Sequence, residues 1–168
     1  MIVLACSPTY GCGKDTLGEI LIESYNFERV SFADELKRIA TEVFTWDGEK
    51  DVKGRDLLIN VGMTARKYKP NFWIGKALEK TTLAIMAKKN VIITDCRFLN
   101  EQKAFNEYFS METIITIGIE RHKNGFEKEE SQKEYYDMEK DFIINNTGTL
   151  IDFEKEVHAI FKGTSIYL

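Results

Sequence analysis

Gly11, Gly13 and Lys14 stand in the stretch "SPTYGCGKDT", directly behind the apolar run "IVLAC". Two glycines let successive backbone N–H groups turn inward around an anion, and a following helix start offers further free N–H groups to it. Lys14 at the end of such a loop reaches the outer phosphates of a nucleotide, with the backbone of Cys12 between the glycines as part of the cradle. The stretch departs from the usual phosphate loop twice: Pro8 stands at the first glycine position, and Asp15 replaces the serine or threonine that binds magnesium. A carboxylate beside a triphosphate is repelled unless a cation lies between them, and carboxylate oxygens suit Mg²⁺. Asp15 is therefore expected to help hold Mg²⁺, with Thr16 on an inner phosphate. Alternatively, Asp15 supports the helix start and points away.

A second group of residues lies in "NVIITDCRFLNE". Asp95 ends an apolar strand, where it can bind the ion through water or accept a proton from an attacking group. Arg97, two residues on, can neutralise charge on a transferring phosphoryl group.

These residues need a frame. The runs 1–6, 90–95 and 113–119 are short and β-branched, as strands buried on both faces are, and shorter candidates lie near 29–33 and 141–146. Helical stretches fall between them at about 14–25, 34–45, 54–67, 71–88, 98–109 and 149–162. Alternating strands and helices predict an α/β fold, a three-layer sandwich of about five parallel strands with helices on both faces. Ligands in such folds bind beyond the carboxyl ends of the strands, so "SPTYGCGK" and "TDCR" are expected on the same rim.

The 168 residues, 43% apolar and 30% charged, suit a single domain with a proper core. A formal net charge of −4 does not suggest a broad basic surface for nucleic acid. No apolar run approaches the roughly 18 residues that cross a bilayer, and the start does not read as a signal peptide. Cys6, Cys12 and Cys96 are an odd set without metal spacing, consistent with reduced thiols in a cytoplasm.

The segments "GCGKDT", "VSFADELKRIA", "GRDLLINVGMTAR", "NFWIGKAL", "ITDCRFLNEQKAF" and "DFIINNTGTLIDFEKEV" occur in the order seen in deoxynucleoside monophosphate kinases. These are the phage-type P-loop kinases related to adenylate kinase, and the chain resembles them over residues 2–161. The Gly-Lys-Asp-Thr loop is itself a feature of that family. The resemblance implies transfer of the γ-phosphoryl group of ATP to a (deoxy)nucleoside monophosphate with Mg²⁺ as cofactor, in a cytoplasm, the host's if the chain is phage-encoded. It leaves a homodimer open.

The resemblance also implies an acceptor segment over 31–80 and a lid over 120–140, with Arg121 against the donor or transferring phosphates. Arg55 and Arg66, about three helical turns apart, can share a face and offer guanidinium forks to a monophosphate, or simply lie on a solvated face. Asp34 reads as a helix N-cap or a base contact. Lys37 reads as an acceptor contact or a partner of Asp34 or Glu35. Phe32 and Trp73 stack on a base or belong to the core. Asn146 in "NNTGTL" resembles the turn that approaches adenine, though a turn and helix cap explain it equally. The lid region lacks the His-x-Ser-Glu element common among relatives, carrying "EESQ" around Ser131 instead. Rival readings are a P-loop kinase of phosphomevalonate or dephospho-coenzyme A type and an ATP-binding regulatory protein without catalysis.

Overall fold

The computed structural model describes residues 1–121 and 130–163. Along the chain run β1 (Ile2–Cys6), α1 (Lys14–Tyr25), β2 (Phe27–Val30), α2 (Ala33–Phe44), α3 (Val52–Tyr68) and α4 (Phe72–Met86). They are followed by β3 (Asn90–Ile93), α5 (Leu99–Tyr108), β4 (Ile114–Glu120), α6 (Glu130–Asp137), β5 (Phe142–Asn145) and α7 (Leu150–Gly163). The strands form one five-stranded sheet in the order β2-β3-β1-β4-β5, and every pairing is parallel.

Side chains alternate across a strand, and β1 uses both faces. Ile2, Leu4 and Cys6 join Ile74 and Ala77 of α4, Phe105 of α5 and Tyr135 of α6 in one apolar layer. Val3 and Ala5 join Leu17 and Leu21 of α1 with Phe153, Val157 and Phe161 of α7 in the other. The three-layer α/β sandwich expected from the sequence is thus present, with β1 at the centre of the sheet and its carboxyl end feeding the glycine-rich loop.

One strand boundary differs from the sequence reading. The second strand was expected near 29–33, but it spans Phe27–Val30, in register with Asn90 to Ile93. Phe27 and Val30 are its buried ends, while Ser31 and Phe32 turn out of the ladder toward Asp95. The helices α2 and α3 stand off the sheet. Ala40 is the buried residue of α2, and Gly54 and Gly62 those of α3. In β4, a Cβ added at Gly118 would lie 2.7 Å from the Tyr135 hydroxyl, so glycine there lets α6 approach the sheet.

Candidate active site

The loop between β1 and α1 folds around left-handed glycines. Gly11 has φ +68° and Gly13 +116°, conformations that L side chains adopt at a cost. A Cβ at Gly13 would lie 2.8 Å from Asn146 Nδ2 and 3.4 Å from the Phe153 ring. Asn146 itself donates to the Cys12 carbonyl at 2.7 Å, and its backbone N–H donates to the Glu120 carbonyl at 2.8 Å. Asn146 therefore braces the outer side of the loop from the end of β5. The first intrahelical bond of α1 is Leu17 N–H to Gly13 O at 2.9 Å. The amides of Lys14, Asp15 and Thr16 precede it, so no intrahelical carbonyl accepts from them. Inside the loop, the Lys14 ammonium donates to the Ser7 hydroxyl, which donates to Thr9 O at 2.7 Å. Partial burial holds the Lys14 ammonium below the ordinary lysine value, and the positive charge of Arg97 adds to this.

Asp15 lies in the first turn of α1 with its side chain 83% exposed, 3.7 Å from Arg29 Nη2. Arg29 Nε also donates to Thr94 Oγ1 at 2.9 Å. Arg29 was missed in the sequence, where a lone basic residue on a short strand carried no motif. Asp95 stands just beyond β3. Its Oδ1 accepts from Phe32 N at 3.0 Å. Its Oδ2 accepts from the Ser31 hydroxyl at 2.6 Å and from Ala33 N at 3.1 Å. This carboxylate thus ties the end of β3 to the entry of α2. Three donors leave about one of its lone-pair sites open.

Arg97 extends from the same turn to the phosphate loop. Its Nη1 donates to the Tyr10 hydroxyl at 3.0 Å, and its guanidinium lies 4.8 Å from that ring's centroid. Next to it, Phe98 lies beneath the Arg66 guanidinium, 5.3 Å from ring centroid to guanidinium carbon. Arg66, Pro70, Trp73, Phe98, Glu101 and Glu134 help line a cavity of about 540 Å³. Adjacent residues of one turn thus meet two guanidinium environments: Arg97 reaches Tyr10 of the loop, and Phe98 supports Arg66, which lines the cavity. Glu134 Oε2 accepts from Leu99 N at 2.6 Å, and Glu101 Oε2 accepts from Arg97 N at 2.8 Å and Phe98 N at 3.0 Å.

Trp73 is 3% exposed, with its indole N–H on Gly62 O at 3.1 Å; it belongs to the core and lines the cavity at once. Phe32 packs edge-on against Phe105 at 5.7 Å. Arg66 lines the cavity, whereas Arg55 lies eleven positions and about 16 Å of helix away, with its Nε donating to Lys50 O at 2.9 Å. Asp34 Oδ2 accepts from Ser31 N at 3.1 Å and lies 3.7 Å from Lys80. Glu35 is held by Arg38 through bonds of 2.9 and 2.7 Å. Lys37 is half-buried on α2 and is not among the residues lining the cavity. Arg121 is exposed just after β4, and residues 122–129 of the segment expected to form a lid, His122 included, lie outside the described residues. Burial raises the Cys6 thiol to about 11 and also pushes up Cys96.

Among the described residues no group of three or more His, Cys, Asp or Glu is gathered for a metal, and no helix is long and apolar enough to cross a membrane. A magnesium ion does not need such a cage, since it keeps waters and uses one or two carboxylates plus phosphate oxygens. The exposed Asp15 carboxylate at the loop's exit fits that donor chemistry.

No protein-family model matches the chain, and no curated protein matches its sequence. Solved structures do match. A dephospho-CoA kinase from Campylobacter jejuni superposes with a TM-score of 0.59 and 16% identity over 96% of each chain. An APS kinase mutant from Mycobacterium tuberculosis gives 0.55 and 7% over 96% of each. A shikimate kinase from Aquifex aeolicus gives 0.54 and 18% over 99% of each. At these identities the likeness is one of fold, and the chain has the fold that these small-molecule kinases share.

Proposed function

We propose that the protein transfers the γ-phosphoryl group of ATP to a (deoxy)nucleoside monophosphate. The observation that carries this is the single turn at Arg97 and Phe98, which presents one guanidinium to the phosphate loop and supports another over a cavity. ATP lies with its outer phosphates on the loop amides and Lys14, and the monophosphate enters the cavity with its phosphate toward Arg66. An acceptor phosphate oxygen attacks the γ-phosphorus while the bond to the β–γ bridging oxygen breaks, giving ADP and a nucleoside diphosphate. The protein's part is alignment and charge neutralisation by Lys14, Arg97 and Arg121, with water excluded. Trp73 and Phe98 supply apolar walls for a base, and Asn146 keeps the loop in shape beside the donor. Asp34 sets the entry of α2, and Lys37 and Arg55 add positive charge to the acceptor segment. Asp15 and, through water, Asp95 would hold a Mg²⁺ ion, which would supply positive charge against the donor's phosphates. Asp15→Ala is expected to raise the magnesium concentration needed for ATP binding by calorimetry; an unchanged requirement removes that role.

A coupled assay with Mg·ATP and each nucleoside and deoxynucleoside monophosphate tests the reading. The fold likeness to a dephospho-CoA kinase makes dephospho-coenzyme A the most informative rival acceptor, with phosphomevalonate beside it. Turnover of those alone removes the nucleotide assignment. Tight ATP binding without product from any acceptor marks a binding protein instead.

A further inference from the structure

Glu101 is a charged side chain only 4% exposed, in the first turn of α5. A glutamate three residues into a helix commonly reaches back to the N-cap amide. Here one oxygen accepts from two consecutive amides, those of Arg97 at 2.8 Å and Phe98 at 3.0 Å. Those two residues reach the glycine-rich loop and the cavity-lining Arg66 respectively. The guanidinium of Arg97 meets Tyr10 of the phosphate loop, and the ring of Phe98 lies under Arg66 of α3. On its other side the same turn begins at Asp95, which is held by Ser31, Phe32 and Ala33. The turn is therefore clamped at both ends by carboxylates, and the clamp at the α5 end is Glu101.

We propose that Glu101 is a positioning residue, whose buried carboxylate sets the Arg97–Phe98 turn and with it the distance between the donor-side and acceptor-side guanidinium groups. This rests on the phosphoryl-transfer reading of the site for its effect on rate, but not for its effect on the turn. Both bonds are accepted by a single oxygen, so a glutamine carbonyl in the same place can accept them too. An aspartate is one methylene shorter and an alanine accepts nothing.

Two measurements on the full chain test the proposal, using wild type, Glu101→Gln, Glu101→Asp and Glu101→Ala. In amide hydrogen exchange followed by NMR, Glu101→Ala should speed exchange at Arg97 and Phe98 by about tenfold or more while β1 amides keep their protection. Glu101→Gln should keep both protected, and Glu101→Asp should fall between. In steady-state kinetics with the best monophosphate acceptor, Glu101→Ala should lower kcat by about tenfold or more and raise the acceptor KM, with ATP affinity by calorimetry within about twofold. Glu101→Gln should restore kcat to within about threefold of wild type, and in an Arg97→Ala background Glu101→Ala should cost less than about threefold. Unchanged exchange at both amides in Glu101→Ala overturns the proposal, as does an equal loss of kcat with and without Arg97. Should wild type phosphorylate no nucleoside monophosphate, the proposed function fails while the exchange experiment still decides the role of Glu101. A Glu101→Ala chain that does not fold passes the decision to Glu101→Asp, for which wild-type exchange and wild-type kcat together are the overturning result.

Discussion

The Asn146 side-chain amide donates to the Cys12 carbonyl at 2.7 Å, joining the phosphate loop to the far end of the chain. The same nitrogen occupies the space a Cβ on Gly13 would need, at 2.8 Å. Losing this partly buried bond should cost about 1 kcal/mol. Asn146→Ala is therefore expected to lower stability in urea titrations by that amount and, on the proposed function, to weaken ATP binding. Gly13→Ala should be worse, because the +116° φ stays unfavourable even after the asparagine is removed. Combining the two substitutions should recover part of the loss in stability and little of the ATP affinity.

Lys14 opposes stability at the position where the proposed function gives it a binding role. Burial and the neighbouring Arg97 hold its ammonium below the ordinary value. The unfolded chain thus keeps a proton that the folded chain gives up first, and stability rises with pH between the folded and unfolded values. Lys14→Met removes the buried charge, so its Tm at neutral pH should equal or exceed that of wild type. Phosphoryl transfer should meanwhile fall by about a hundredfold or more. A clearly lower Tm by calorimetric scanning contradicts this account.

Glu101 gives the opposite slope. Burial, the largest cause, raises its carboxyl to about 7 from 4.5. Across that window the folded state holds a proton that the unfolded state has released, so stability falls as pH rises. The fall attributable to this group is at most on the order of 3 kcal/mol. In Glu101→Gln that contribution disappears, and urea titrations at about pH 4.5 and about pH 7 should differ from wild type accordingly.

Gly118 predicts a packing conflict. An added methyl would meet the Tyr135 hydroxyl at 2.7 Å and Lys140 Cδ at 2.9 Å. Gly118→Ala should lose about 1–3 kcal/mol. Tyr135→Phe in the same chain should recover part of it, because the nearest atom is gone; a purely additive double mutant would refute the contact as the cause.

Cys6, Cys12 and Cys96 are all buried. Ellman's reagent should find almost no reactive thiol in the native chain and all three in denaturant.

The sheet, its parallel sense and the shared rim of the loop and Asp95 were legible because their signals are local: β-branched runs, a glycine pair before a helix, a carboxylate at a strand's end. What was not legible depends on pairings distant in sequence. Ser31 read as part of a strand, and its hydroxyl bond to Asp95 joins residues 64 apart. Arg29 had no motif around it, yet it meets both Asp15 and Thr94. Arg55 and Arg66 were read by helical periodicity, which fixes a face but not which end of a helix meets a cavity. Trp73 was weighed as core or as pocket wall, and a large indole does both.

The bonds from Ser31, Phe32 and Ala33 to Asp95 have an engineering corollary. They root the hairpin of α2 and α3 on the sheet, while little of that hairpin is buried beyond Ala40, Gly54 and Gly62. The hairpin is in effect an exchangeable cassette on a fixed socket. On the proposed function, transplanting the corresponding pair of helices from one of the kinases that share this fold, with residues 31–33 and Asp95 kept, should redirect acceptor choice without rebuilding the interior.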